Sequence, residues 1–332
     1  MNRSSDSNAE PSRPSRRRFL GIAAAAAGGL VLRRSQARAF EGELLMPPGA
    51  APSRVAEVSS AHITDGPTVH RPLLGEMVER VLISLTDEPT PTKAWKSLLG
   101  SAEVVGLKFN QSGQTVIATA AVMAETLVVS LTEAGWPPNR VILIEAPAGV
   151  AELLGTMPGR AGFAPAPTDF GSGSDQFAAV LGQVDALISV PFLKTHNIAG
   201  MTGGLKNLSH GLVKHPARYH ADGCSPFIGD IVAAPPIRSK LRLVFVDALR
   251  VVFAEGPTAR ADRLSDEGII LASTDPVAAD AVGLSILNET RERKGMAMLA
   301  DSPAGIPHLA SAHRRRLGIA VQHGIDRIAV SL

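Results

Sequence analysis

From about position 70 the chain alternates short apolar runs with stretches whose apolar residues recur at steps of three and four. That is the pattern of βαβ units around a largely parallel sheet. Leu74, Met77, Val78, Val81 and Leu85 share one face of a helix predicted over Leu73 to Leu85. A second helix, Val116 to Ala134, stops before Gly135 and Pro137. A third is capped at Thr274 or Asp275, has Pro276 in its first turn, and continues through Val277, Ala281, Leu284 and Leu287. Strands are expected at Val104 to Phe109, Val141 to Glu145, Ala186 to Val190, Leu243 to Val246 and Ile269 to Ala272, with Arg327 to Ser331 as a last edge. The fold class that follows is α/β: a largely parallel twisted sheet of about five or six strands with helices on both faces.

The amino-terminal region breaks this pattern. Ser15-Arg16-Arg17-Arg18-Phe19-Leu20 precedes an apolar run from Gly21 to Leu32, then Arg33, Arg34 and the small-x-small triplet Ala37, Arg38, Ala39. This is the order of a cleavable twin-arginine signal peptide over residues 1–39, cut near Ala39. The apolar run is shorter than the roughly 20 residues a spanning helix needs, so no permanent membrane anchor is expected. The reading places the mature protein in the periplasm or otherwise outside the cytoplasm, with the twin-arginine export machinery as its first partner. Residues 40–332 then read as a single α/β domain. Its first segment, about 40–54, is rich in Pro, Gly and Ala and is expected to be extended and mobile. Residues 158–174 have a similar composition and read as a long surface loop or lid.

Charge changes the picture once the leader is set apart. The whole chain has 33 Lys and Arg against 31 Asp and Glu; taking away the eight arginines and two acids of residues 1–39 leaves 25 against 29, a net of −4. No basic stripe follows position 39, which argues against nucleic acid as a partner. A local patch of His210, Lys214, His215, Arg218 and His220 suits a small anion better. The single cysteine, Cys224, offers too few thiolates for a disulfide framework within one chain, a thiolate zinc site or a protein-ligated iron-sulfur cluster, and reads as a minor structural residue.

In an open parallel sheet ligands gather at the carboxyl ends of the strands. Those ends are predicted to be polar here: Lys108, Phe109 and Asn110; Glu145; Lys194, Thr195 and His196; Asp247; Thr274 and Asp275. Asp, Thr and Asn also cap helices, and Asp275 reads as a cap first. The stretch Lys194 to Asn207 holds Gly200, Gly203 and Gly204, which let backbone amides approach an anion, and a helix starting near Gly204 would add its positive end. Lys194 and Lys206 add full charges. A flexible turn into a helix accounts for the glycines as well. Neither the Gly-x4-Gly-Lys-[Ser/Thr] nor the Gly-x-Gly-x-x-Gly spacing is present. His196 suits a general base, or a metal ligand with Asp247 and Glu145. His210, His215 and His220 are five apart, so on one helix they would not share a face; the same holds for Asp275 and Asp280.

Val184-Asp185, Lys194-Thr195-His196, Gly203-Gly204-Leu205-Lys206-Asn207, Val246-Asp247-Ala248, Glu255-Gly256-Pro257 and Thr274-Asp275-Pro276-Val277-Ala278-Ala279-Asp280-Ala281 together resemble the domain of unknown function 362 family, from about Val104 to about Gly318. The resemblance implies no established activity. Many relatives carry a cysteine-rich ferredoxin-like segment, which implies redox company; this chain lacks that segment, and has Phe109 where members often have proline. The candidate site it supports has His196, Lys194 and Asp247 as catalytic groups and Lys108, Asn110, Thr195, Gly203, Gly204, Lys206 and Asn207 as substrate-binding groups. Asp275 and Asp280 complete the matching positions. The cofactor is unknown, and a divalent metal is compatible with the residues.

Three functions fit. The first is an exported enzyme acting on a small carboxylate or phosphate, with lysines and the glycine loop holding the anion and His196 moving a proton. The second is a ligand-binding or carrier module without turnover. The third is an accessory subunit of a periplasmic redox assembly with a redox partner protein.

Overall fold

The computed structural model describes residues 44–332, all of which belong to one compact unit. The predicted leader lies outside the described residues. Among these residues no helix is long and apolar enough to cross a membrane.

The strands of the main sheet are β1 (Ser53–Ser59), β2 (Val105–Phe109), β3 (Val141–Ile144), β4 (Ala186–Val190), β5 (Phe192–His196), β6 (Gly200–Thr202), β7 (Leu241–Val252), β8 (Leu264–Ser273) and β9 (Ile325–Ser331). The order across the sheet is β9-β1-β8-β7-β4-β2-β3, with β5 beside the far half of β7 and β6 beside β5. The β7, β4, β2 and β3 pairings are parallel, as are β1 with β9 and β5 with β7. β8 runs antiparallel to both β7 and β1. The fold is therefore α/β with a mostly parallel sheet. It has more strands than expected because β1, β5 and β6 carry charged or small residues that mask their apolar alternation.

The helices are α1 (Arg71–Thr86), α2 (Pro91–Leu99), α3 (Ala120–Ala134), α4 (Gly204–His210), α5 (Phe227–Ala233), α6 (Pro276–Arg293) and α7 (Pro307–Arg314). Strand alternation divides the core between them. Leu107, Ile188, Phe245 and Ile270 pack with Leu74, Trp95 and Leu127 of α1 to α3. Leu187, Val244, Val246 and Leu271 pack with Leu205, Ile228, Leu284 and Leu309 of α4 to α7.

Two local departures bear on the site. The helix expected from Val116 is interrupted: a single turn, Gln114–Ile117, ends at Ala118 in a left-handed conformation before α3 begins. The Ile117 carbonyl accepts from Arg250 Nη1 at 3.1 Å, and the Thr119 hydroxyl donates to Asp247 at 2.6 Å. The segment expected to be mobile is packed at Leu44, which is buried in the core, and Ser53 and Arg54 already belong to β1.

Asp275 ties several elements together. Its Oδ1 accepts from the amides of Val277 and Ala278 at 2.8 and 2.9 Å, capping α6, and its Oδ2 accepts from Ile319 N at 2.8 Å and from the Ser53 hydroxyl of β1. A Cβ on Gly318 would overlap this carboxylate. Because β8 is antiparallel to β7, with Ser273 opposite Val244, Thr274 and Asp275 sit at the amino end of β7, away from the carboxyl ends of β2 and β4. Replacing Asp275 with Ala is expected to lower unfolding stability by about 2–4 kcal/mol, since it removes a cap and two tertiary bonds at once. Asp275→Asn should fall between variant and wild type in a denaturant titration.

Candidate functional site

Alternation along β2 sends Val105, Leu107 and Phe109 into the α1 to α3 layer, and so turns Lys108 toward α4. Lys108 has no exposed surface. Its Nζ donates to the Phe109 carbonyl at 2.6 Å, to Glu145 Oε2 at 2.9 Å and to Asn207 Oδ1 at 3.0 Å. Asn207 in turn donates to the Lys108 carbonyl at 2.8 Å and to the Ser189 hydroxyl at 3.0 Å, which locks α4 onto β2 and β4. Burial lowers the Lys108 pKa against the pull of Glu145.

β5 carries Lys194, Thr195 and His196, all buried. The Asn110 side chain accepts from Phe192 N at 2.8 Å and fixes where this strand begins. Thr195 Oγ1 accepts from Gly256 N at 3.0 Å, and any Cβ on Gly256 would overlap the Thr195 carbonyl. Asn110 and Thr195 thus spend their polar groups on building the site. Lys194 Nζ donates to the Ser112 carbonyl at 2.6 Å, and burial, together with the nearby Lys108 charge, pushes its pKa down to about 8. His196 Nδ1 accepts from the amides of Ile198 and Ala199, both at 3.2 Å. Those donors place the proton of the neutral ring on Nε2. Burial and the charges of Lys206, His220 and Lys194 push its pKa to about 3. A ring in this state offers an N–H donor rather than the general base expected from the sequence.

The glycine loop also differs from expectation. Asp280 of α6 accepts from the amides of Gly204 at 2.6 Å and Leu205 at 3.1 Å. The amino end of α4 is therefore already occupied by a carboxyl group supplied by the chain itself. A Cβ on Gly203 would overlap Asp280, and one on Gly204 would come within 2.6 Å of Val244. Gly203 and Gly204 thus make room for this internal contact. Desolvation raises Asp280 to about 7, even though both backbone bonds favour its charged form.

Asp247 does not meet His196. The strand continues past it, and its side chain points into the α1 to α3 layer, accepting from the Thr119 hydroxyl at 2.6 Å and Leu249 N at 3.2 Å. Burial raises its pKa to about 6. With Glu145 held by Lys108, the metal set of His196, Asp247 and Glu145 does not form.

The structure instead gathers cations and imidazoles. Lys206 Nζ lies 3.3 Å from His220 Nε2, and burial lowers its pKa to about 8. His220 stacks on His196 at 5.9 Å between ring centroids and meets His210 edge-on at 4.6 Å. Burial and Lys206 push His210 down to about 2. His308 of α7 is fully buried with neither ring nitrogen in a directed hydrogen bond; burial and Lys206 bring it to about 3, against a weak pull from the Ala199 backbone. One ligand atom each from His210, His220 and Cys224 lies within 4.8 Å of the others, the only such metal-ligand group among the described residues. The sequence pointed away from this group on two grounds, one cysteine being too few for a thiolate zinc site and histidines five apart on one helix not sharing a face. Here the two histidines add nitrogen ligands to the lone thiol, and the helix ends at His210, after which the chain turns through Gly211 and a 3-10 turn at Pro216–Tyr219. His215 leaves the cluster and pairs with Asp175 at 2.9 Å.

No curated protein matches the chain by sequence. In backbone shape it is similar to the lactate racemase apoprotein from Thermoanaerobacterium thermosaccharolyticum, at 10% identity and a TM-score of 0.45 over 74% of this chain and 59% of that one. It is also similar to a protein from Thermotoga maritima, at 13% identity and a TM-score of 0.34 over 70% and 60%. The chain thus spans less than two thirds of either structure. Residues 167–285 match the family model described as Domain of unknown function (DUF362), a narrower span than the motifs suggested, which takes in β5, α4, His210, His220, Cys224 and Asp280 and leaves Lys108, Asn110 and His308 outside.

Proposed function

We propose that the mature chain is an exported protein that binds a small carboxylate- or phosphate-bearing molecule at Lys194, Lys206 and the Nε2–H of His196. The export part rests on the paired arginines, apolar run and cleavage triplet of residues 1–39. The binding part rests on one observation: three lysines no more than 6% exposed share a cluster in which, among the described residues, Glu145 is their one direct carboxylate partner. Glu145 neutralises Lys108; Lys194 has a carbonyl and Lys206 a neutral imidazole. Burying a cation without a counter-charge is costly, and an incoming anion removes that cost.

An enzyme is preferred to a carrier because the site joins two lysines, Lys194 with its pKa lowered to about 8 by burial, to an imidazole N–H donor, groups able to move a proton as well as hold an anion. Lys194 offers the test. Malonate and inorganic phosphate, titrated calorimetrically into the mature chain at neutral pH, are expected to bind, and Lys194→Met is expected to weaken binding by at least about tenfold, or about 1.4 kcal/mol. Equal binding by wild type and Lys194→Met, or no heat with either anion, would overturn the anion site.

The pH dependence has a definite sign. The protonated lysine binds the anion, so malonate affinity should be full below about 8 and fall as pH rises above it, with proton uptake on binding near that pH. Stability runs the other way. A lysine whose folded pKa lies below its ordinary 10.5 penalises the folded state most below about 8, and the penalty fades by 10.5. Lys194→Met should therefore be more stable than wild type at neutral pH, by about 1–3 kcal/mol, with the advantage shrinking between pH 8 and 10.5; thermal unfolding at several pH values checks this.

A further inference from the structure

We propose that His210, His220 and Cys224 form a site for one thiolate-preferring divalent ion, with Zn²⁺ as its simplest occupant. Their ligand atoms already lie within 4.8 Å of one another. A tetrahedral zinc ion with bonds of about 2.0–2.3 Å needs its ligands somewhat closer than that, a contraction within the reach of side-chain rotation.

Two features prepare the ligands. His210 Nδ1 is engaged with the Ser209 hydroxyl at 3.0 Å, while its Nε2 is buried and has no hydrogen-bond partner. This is the arrangement of a metal-binding imidazole, in which one nitrogen is oriented by a neighbour and the other is left for the ion. Cys224 is presented by a turn in which Asp222, Gly223 and Cys224 have successive φ values of 50°, 64° and 65°. Gly223 packs on Pro307, where a Cβ would come within 2.9 Å, so the turn is pressed against α7.

The donor set selects the ion. One sulfur and two imidazole nitrogens suit a borderline-soft transition ion and exclude Mg²⁺ and Ca²⁺, which take oxygen. Three protein ligands leave a fourth position, as in zinc sites that act on substrates rather than only hold a fold. The Lys206 ammonium beside His220 opposes a bare cation, and the thiolate that Cys224 becomes on binding offsets it.

The test is a Co²⁺ titration of the chelator-treated mature protein, followed by absorption. The expected result is a sulfur-to-cobalt charge-transfer band and strong visible bands of a four-coordinate ion, saturating at one equivalent and removed by Zn²⁺. Cys224→Ser should lose the charge-transfer band, and His210→Ala should bind at least about tenfold more weakly. His215→Ala, which alters only the pair with Asp175, should leave the spectrum unchanged. Circular dichroism of each variant confirms its fold, and Cys224→Ala replaces the serine variant should that one unfold. No charge-transfer band in the wild type, or an unchanged spectrum in the Cys224 and His210 variants, would overturn the proposal. Neither result depends on whether malonate or phosphate binds.

Discussion

The amides that open α4 close on the carboxylate of Asp280, and the geometry of the site follows from that contact. A helix of seven residues has little stability of its own, and its first amides need acceptors. Asp280 supplies one acceptor oxygen to each of two amides and pins the helix start against α6. With the start pinned, Lys206 and Asn207 have little freedom left. Asn207 meets Lys108 and Ser189, and Lys206 meets His220. The fold tolerates a carboxylate pushed up to about 7 to keep this arrangement, because releasing it would leave buried amides without partners.

Around that anchor the electrostatics are lopsided. The acids of this region are committed elsewhere: Asp280 to α4, Asp247 to Thr119, Glu145 to Lys108. What remains facing inward is two lysines and four imidazoles whose pKa values all move down, each lowered chiefly by burial. At neutral pH the histidines are therefore uncharged and can donate or ligate, while the lysines keep most of their charge. That balance is what the proposed anion would neutralise, and a metal would be favoured only where a sulfur joins in, as Cys224 does beside His210 and His220.

Much of the fold was legible because alternation is a direct imprint of two covered faces. Ala186–Val190 matched its prediction at both ends, and Pro276 with Asp275 marked the start of α6. β5 was not legible as a strand, since its polar residues Lys194, Thr195 and His196 read as a loop at a strand tip. The length of β7 was missed for a related reason: a strand buried along nearly all of its length can carry Asp247 and Arg250 when each finds a partner. In the site, the lysines and His196 were identified by residue type, but their partners were not. Nothing in linear spacing says that Gly203 and Gly204 face Asp280, or that His220 returns to His210 while His215 departs. Those pairings are set by where α4 ends and by the turn at Asp222 to Cys224.

The span that matches a family model does not hold the site by itself. Lys194 lies within it, yet the carbonyl that holds its ammonium comes from Ser112, and the charges that shift it come from Lys108 and Glu145, all outside residues 167–285. Asn110, also outside, fixes the first amide of β5 and so the register of Lys194 itself. The histidine and cysteine cluster, by contrast, is built from within the span. A candidate site divided in this way couples two segments of the chain: beyond burial itself, Lys108 of β2 and Glu145 just after β3 tune the lysine, and the segment from β5 through α5 supplies the groups beside it. Changes in either half are expected to alter the electrostatics of the other, because the two meet in a buried region where charges are weakly screened.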